Sequence, residues 1–371
     1  ERFLSSARDL RRSAIMSKVP RSKAKRSRDV PDVTLSGTLE DDGTQVEQAP
    51  VRARKSKTQG RRTKATTTGK PNANKEAYAF FVNHTCQAGI QGLQAEFDEI
   101  KKKTQSIAGI PKTAFDSHAD RNRYKDVFCV DGSRVVLNWP SDSTDDYIHA
   151  NWAPIDDKRK YICTQGPIAA TIDDFWRMVW QEKCLSIVML CNVVEQGKKK
   201  CEQYFPESGE QQYGPVKVTV KDKQEWCKFI TISTLLVSDG TDSRECEHYH
   251  WTNWPDRGVP LDITTCMKLI IRLKKQSPTV IHCSAGIGRT GTIVGLDMML
   301  SKIMSGEKTT LKDVVMDLRS KRHGSVQMEI QYFYMHRVLL ADAVSKKVVS
   351  ESDVADFVNQ YETLCKQRGF M

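Results

Sequence analysis

Cys283 and Arg289 stand six positions apart in the run from Thr279 to Thr292, Thr-Val-Ile-His-Cys-Ser-Ala-Gly-Ile-Gly-Arg-Thr-Gly-Thr. A thiolate is a nucleophile, and a guanidinium grips tetrahedral oxyanions with two parallel hydrogen bonds. Around one anion the two supply what attack on a phosphate ester requires. The elements that must position them are legible nearby. Thr279, Val280 and Ile281 form a β-branched run that reads as a buried strand, broken by Gly286, Gly288 and Gly291. From Thr290 the pattern turns helical, with Ile293, Leu296 and Met299/Leu300 spaced for one apolar face. A strand passing through glycines into a helix N-terminus makes an anion cradle, with converging N–H groups and the positive helix end behind them. Ser284, Ala285, Gly286, Ile287 and Gly288 are its candidate substrate-binding positions, the glycines leaving room for a phosphoryl group to meet bare backbone.

Two other readings compete. Gly286-x-Gly288-x-x-Gly291 matches the dinucleotide fingerprint, but only 80 residues follow Gly291. That is too few for the remaining strands, and no second strand ends in an acidic residue about 20 positions on. A tight turn holding an inert core cysteine leaves the His-Cys start and the closing arginine unexplained.

His282-Cys283-x5-Arg289-Thr290 resembles the signature of the protein tyrosine phosphatases, and Cys-Ser-Ala-Gly-Ile-Gly-Arg-Thr-Gly resembles the phosphotyrosine-specific, non-receptor-like branch. The resemblance spans about residues 88–370, in seven segments that keep the family's order. It implies an α/β fold, a twisted mixed β-sheet flanked by helices, with Cys283 as nucleophile and His282 supporting it. Arg121-Asn-Arg-Tyr-Lys-Asp126 is similar to the substrate loop. There Tyr124 would stack on the substrate ring and set pocket depth, and Asp126 would hold the peptide backbone. Asp146–Asn151 is similar to a structural motif, with His149 where Asn is usual. Glu195 would brace Arg289 and Lys200 would contact the acid loop, and Phe205 stands in place of the usual Trp.

Trp254-Pro-Asp-Arg-Gly-Val-Pro260 carries the second strong pattern. Two prolines and a glycine make a stiff, hinged loop with Asp256 at its tip. A carboxylic acid on such a loop can protonate a departing phenolate and exclude water on closing. Arg257 replaces the usual His. Gln327 and Gln331, at i and i+4, are expected on one helix face. By resemblance Gln327 positions the hydrolytic water, Gln331 assists, and Thr290 stabilises the departing thiolate. Ser325 is a minor departure. Substrates are then phosphotyrosine proteins, and no metal or organic cofactor is implied. The alternative is a weak or inactive phosphotyrosine-binding module, which the presence of Cys283, Arg289, Asp256 and Gln327 together disfavours. Dual-specificity or lipid phosphatase action conflicts with Tyr124 in the depth-setting loop.

Charge separates the rest of the chain. The net charge is +11, and residues 1–75 hold 19 Lys/Arg against 8 Asp/Glu, whereas residues 76–371 hold 38 of each. With Phe3 as its one aromatic residue, the first segment reads as a basic, disordered tail before a catalytic domain at 76–371. Its clusters Arg21–Arg28 and Arg52–Lys64 suit acidic partners, namely nucleic acid, an anionic membrane or an import receptor, or else form a solvated linker broken by Glu40–Asp42. No apolar run reaches the roughly 18 residues of a membrane span. Eleven irregularly spaced cysteines without a CxxC pair argue against a disulfide framework or zinc site. A reducing, cytoplasmic location follows, with the nucleus as the alternative, and a monomeric catalytic domain. The chain begins with Glu1 rather than Met and reads as a candidate fragment.

Further elements frame the site. Phe80, Phe81, Ile90, Leu93, Phe97 and Ile100 fit one or two amphipathic helices ending before Gly109-Ile-Pro111. Thr171 is expected to cap a helix bearing Phe175, Trp176, Val179 and Trp180. A strand and turn are expected at 161–167, strands at 185–191, 216–220, 229–236 and 249–251, and the last helices at 332–344 and 353–365.

Overall fold

A computed structural model describes residues 70–106 and 109–370. The first 69 positions of the expected tail, with both basic clusters and the acidic patch, lie outside the described residues. The strands are β1 (Arg134–Val136), β2 (Tyr147–Pro154), β3 (Lys160–Thr164), β4 (Ser186–Met189), β5 (Val194–Glu195) and β6 (Lys198–Lys199). They continue as β7 (Glu210–Tyr213), β8 (Val216–Cys227), β9 (Ile230–Ser238), β10 (Ser243–Trp251) and β11 (Thr279–His282). Nine of them form one sheet in the order β1-β2-β3-β11-β4-β10-β9-β8-β7, while β5 and β6 make a separate hairpin. β11 runs parallel to β3 and β4, and β4 parallel to β10; the other pairs are antiparallel.

Around the sheet lie α1 (Lys70–Thr104), α2 (Thr113–Ser117), α3 (Ile172–Gln181), α4 (Ile263–Leu273), α5 (Gly288–Ser305), α6 (Leu311–Lys321), α7 (Glu329–Ser345) and α8 (Glu351–Gln367). This is the twisted mixed sheet flanked by helices that the sequence implied.

β11 has a paired neighbour on each edge, so all four of its residues are buried, and a continuous β-branched run suits that position. The chain leaves its C-terminal end through a five-residue loop, 283–287, into α5. That helix packs against α1, α6 and α7, and it is buried on nearly every side rather than along one face. Thr290, Thr292 and Asp297 are therefore as inaccessible as Ile293 and Leu296.

Several expectations shift in detail. Thr171 does not cap α3 with its side chain; its Oγ1 accepts from the Ile168 N–H at 3.1 Å, closing a preceding 3-10 turn instead. α1 breaks at Gly89 (φ 56), and the Ile90 N–H freed by the break is taken by Gln360 Oε1 at 3.1 Å. Phe81, Leu93, Phe97 and Ile100 are buried from its two halves, while Phe80 is exposed. β8 runs past residue 220 to Cys227, because register with β9 carries a Lys/Asp-rich segment that shows no alternation. All eleven cysteines are unpaired, and nine are buried. Among the described residues no helix is long and apolar enough to cross a membrane.

Candidate active site

Everything about the loop after β11 follows from where its carbonyl oxygens go. Ser284 O accepts from the Gly166 N–H at 2.9 Å. Ala285 O and Gly286 O accept from the Arg322 guanidinium at 3.0 and 3.1 Å. Ile287 O accepts from the N–H groups of Gly291 and Val326 at 3.1 and 2.9 Å. With four successive carbonyls engaged from outside, the loop presents amide N–H groups to its centre. The Gly286 N–H reaches Cys283 Sγ at 3.3 Å. Behind it, the first turn of α5 adds the N–H groups that any helix start leaves free.

The three glycines serve three ends, and only one of them faces the cleft. Gly286 has φ +70, and a β-carbon there would lie 2.0 Å from Thr164 O; it lets the loop lie against β3. A β-carbon on Gly291 would lie 2.5 Å from the Val326 amide nitrogen, so that glycine packs α5 on the segment before α7. Gly288 alone borders the cleft, beneath Gln327 and Gln331. Of the three, only Gly288 is placed to leave the room for a phosphoryl group that the sequence led one to expect of all of them.

The cleft, of about 90 Å³, gathers Tyr124, Asp126, Lys200, Asp256, Cys283, Ser284, Ala285, Gly288, Arg289, Gln327 and Gln331, as the sequence expected, together with Arg257 and Val127. Gly286, Ile287, Thr290, Glu195 and His282 do not line it. The Ile287 side chain points toward Gly324, where a β-carbon would meet its Cδ1 at 3.3 Å. Val127 had no sequence signal beyond its place after the substrate loop.

Arg289 is buried and fully engaged at its two terminal nitrogens. Nη1 donates to Leu190 O at 2.7 Å and Glu195 Oε1 at 2.6 Å; Nη2 donates to Glu195 Oε2 at 2.6 Å and Asp256 Oδ1 at 3.1 Å. Burial works against its charge, but the Glu195 fork outweighs it and pushes the guanidinium above its usual range. Glu195 reaches this point because the β5–β6 hairpin carries it, and Lys200, just past β6, reaches Asp256 Oδ2 at 2.6 Å. Burial alone would raise the Asp256 carboxyl. The Lys200 hydrogen bond and the Arg289 charge overcome that and hold it below the usual carboxylate range. Trp254, almost fully buried, anchors the acid loop by donating from Nε1 to Gly258 O at 3.0 Å.

Tyr124 stands at the rim, its hydroxyl 2.9 Å from Ser284 Oγ, which donates to Lys200 O at 2.9 Å. Gln327 and Gln331 do not share a helix face. α7 starts only at Glu329, so Gln327 precedes it, and Gln331 Oε1 turns back to accept the N–H groups of Gln327 and Met328 at 3.1 Å each. The spacing served a helix cap, which fixes the segment bearing Gln327. Thr290 Oγ1 is buried with no hydrogen-bond partner among the described residues.

His282 is buried and neutral, its imidazolium disfavoured by burial so that it titrates at about 3. A carbonyl can only accept, so Nδ1 donates to Cys283 O at 3.2 Å, and Nε2 takes the Tyr204 proton at 2.8 Å. Tyr204 then accepts from His248 Nε2 at 2.7 Å.

Two residues matter more than the sequence suggested. Arg322, fully buried, has no carboxylate partner among the described residues. Besides the two loop carbonyls it donates to Asn151 Oδ1 at 2.8 Å and His149 Nδ1 at 3.0 Å. His149 donates from Nε2 to Val127 O at 2.8 Å and titrates at about 3, lowered by burial and by Arg322. The His-for-Asn departure therefore sits directly behind the phosphate-loop candidate. Among the described residues no group of three or more His, Cys, Asp or Glu is placed to hold a metal ion.

Comparison with known proteins agrees. The protein-tyrosine phosphatase family model matches residues 118–341. Human receptor-type tyrosine-protein phosphatase eta is 37% identical over 272 residues, covering 69% of this chain and 20% of the relative. Human tyrosine-protein phosphatase non-receptor type 12 is 35% identical over 280 residues, covering 71% of this chain and 36% of the relative. The chain thus spans about a fifth to a third of the length of these relatives. The crystal structure of the catalytic domain of human protein tyrosine phosphatase non-receptor type 18 superposes with a TM-score of 0.67 at 30% identity, covering 71% of this chain and 99% of that one. The same relative, PTPN18, in complex with HER2-pY1248 phosphopeptides, gives 0.64 at 30% identity over 67% and 98%.

Proposed function

The chain belongs to the protein-tyrosine phosphatase family, and from that premise we propose that residues 76–371 form a catalytic domain that hydrolyses phosphotyrosine in proteins through a phosphocysteine intermediate. The observation that carries the reading is the meeting of Cys283, Arg289 and Asp256 on one cleft, with Asp256 touching Arg289 at 3.1 Å. That contact implies a sequence of events. Both Nη1 protons of Arg289 and one Nη2 proton are committed to Leu190 and Glu195. A phosphoryl group would take the Nε proton and the Nη2 proton now on Asp256. Arg289 then grips two oxygens while Glu195 stays as its brace. Asp256 exchanges a cationic neighbour for an anionic one. Its carboxyl titrates upward and takes up a proton from solvent on Oδ1, as a general acid needs.

Cys283 Sγ attacks phosphorus in line with the tyrosine oxygen. As that P–O bond breaks, Asp256 gives its proton to the phenolate. The phosphocysteine is then attacked by a water that Gln327 orients and Asp256 deprotonates. The sulfur leaves as a thiolate, stabilised by the Gly286 N–H and by Thr290 Oγ1, whose missing partner supports that role. Tyr124 stacks on the ring and sets the depth, so that phosphoserine is too short to reach Cys283, and Asp126 accepts from the substrate backbone. The HER2 phosphopeptides bound to PTPN18 support phosphotyrosine proteins as the partner class. The basic tail is assigned to acidic partners, and the domain to a monomeric, cytoplasmic protein.

The full chain is to be assayed on p-nitrophenyl phosphate at pH 5–7 and on phosphotyrosine and phosphoserine peptides. Turnover of the first two, abolished by Cys283→Ser, is expected, and Asp256→Ala should retain the phosphotyrosine peptide while losing turnover. No turnover with peptide binding intact would establish an inactive binding module instead.

A further inference from the structure

The end of α8 is built as a cap whose last side chain reaches the acid loop. Gly369 has φ +70, its N–H bonds Lys366 O at 3.2 Å, and the Phe370 N–H bonds Cys365 O at 2.9 Å. These are the two reversed bonds of a Schellman motif, whose left-handed position calls for glycine. The motif turns Phe370 back toward its own helix, and the ring continues onto residues 255–260. A β-carbon on Gly258 would lie 3.1 Å from Phe370 Cε1 and 2.9 Å from Pro255 Cγ. Phe370 also lines the two hollows beside this contact. One lies with Val259, Tyr361 and Cys365, the other with Phe229, Trp251 and Leu261. The second, of about 630 Å³, lies behind the loop, whose Val259 is buried and whose Trp254 packs edge-on against Trp251 at 4.9 Å. On its other side the cap is tied by Arg368, which donates to Glu329 Oε1 at 2.8 Å, two residues after Gln327. One helix end thus touches the loop that carries Asp256 and the segment that carries Gln327.

We propose that Phe370 is a positioning residue for Asp256: it backs the acid loop from behind and keeps the carboxyl over the cleft. The kinetic consequence rests on the phosphatase reading; the mechanical one does not. Without the ring, the loop loses its rear contact and spends less time closed. The loss falls on the step that needs a proton, transfer to the departing phenolate.

The test uses the full chain as wild type, Phe370→Ala and Phe370→Leu, and Asp256→Ala with and without Phe370→Ala. Hydrogen–deuterium exchange is read on the peptide covering 254–261, and kcat on aryl phosphates of graded phenol acidity. Phe370→Ala should speed exchange at 254–261 while leaving β11 and α5 unchanged. It should lower kcat about tenfold on phosphotyrosine peptides, part of the roughly 10²–10⁴ that a positioned general acid supplies. The loss should shrink toward nothing as the leaving phenol becomes more acidic. Phe370→Leu should recover most of it, and Phe370→Ala should have no further effect once Asp256 is Ala. Unchanged exchange at 254–261 overturns the proposal. So does a loss equal on all substrates that persists in the Asp256→Ala background. If the wild type turns nothing over, the enzymatic reading fails, and the exchange result alone upholds or overturns the clamp.

Discussion

Arg322→Met keeps the length and much of the volume of a fully buried side chain while deleting four hydrogen bonds, to Ala285 O, Gly286 O, His149 Nδ1 and Asn151 Oδ1. Each acceptor left unpaired costs about 1–3 kcal/mol. Working against this, Arg322 is a buried cation without a carboxylate, and burial already pulls its pKa down, so its removal relieves a desolvation penalty of several kcal/mol. The four acceptors together cost about 4–12 kcal/mol, so after that relief the balance is a net loss of a few kcal/mol, out of the roughly 5–15 kcal/mol that holds a domain together. The effect on activity should be larger than the effect on stability. The two freed carbonyls belong to the loop that must keep its oxygens outward, and one turned inward replaces a donor with an acceptor where phosphoryl charge develops. Loss of one such donor lowers kcat by about 10²–10³. Urea unfolding followed by circular dichroism gives the first quantity, and p-nitrophenyl phosphate kinetics on the folded variant the second. Arg322→Lys should behave nearly as badly, since an ammonium cannot fork across four separated acceptors. A variant within about 0.5 kcal/mol of wild type and within about threefold of its kcat/KM would refute the outward-carbonyl argument.

Gly286→Ala and Gly288→Ala should part company. The first places a β-carbon 2.0 Å from Thr164 O at φ +70 and should yield no folded protein in a thermal melt; the second meets no backbone, only the side-chain amide ends of Gln331 and Gln327 at 3.1–3.3 Å. Gly288→Ala should therefore fold within about 1 kcal/mol of wild type yet raise KM by crowding the cleft, and equal tolerance of both changes would contradict this account. Stability should also fall on acidification from pH 7 to 5. His149, His282 and His336 are buried neutral and titrate at about 3, against 6.5 when unfolded. The unfolded chain thus takes up protons first, and the stability present above pH 6.5 is lost as pH falls, by about 2 kcal/mol per histidine at pH 5. Urea midpoints that stay flat over that range would rule it out.

What the sequence determined by itself was local chemistry. Cys283, Arg289 and Asp256 lie in short runs whose residue types suit the nucleophile, anion grip and proton donor proposed above, and β-branched residues before a glycine turn state a buried strand. What it could not determine was why a residue is needed where the reason lies far along the chain. Gln327 and Gln331 looked like one helix face because spacing is all that periodicity reports; the helix starts two residues after Gln327, and Gln331 caps it. Gly286 looked like phosphate room and is a close approach to β3, 122 positions before it at Thr164. Arg322 and His149 carried no signal as partners, being 173 positions apart. Only tertiary structure decides such roles, because buried carbonyls and imidazoles must find hydrogen-bond partners wherever the fold brings them.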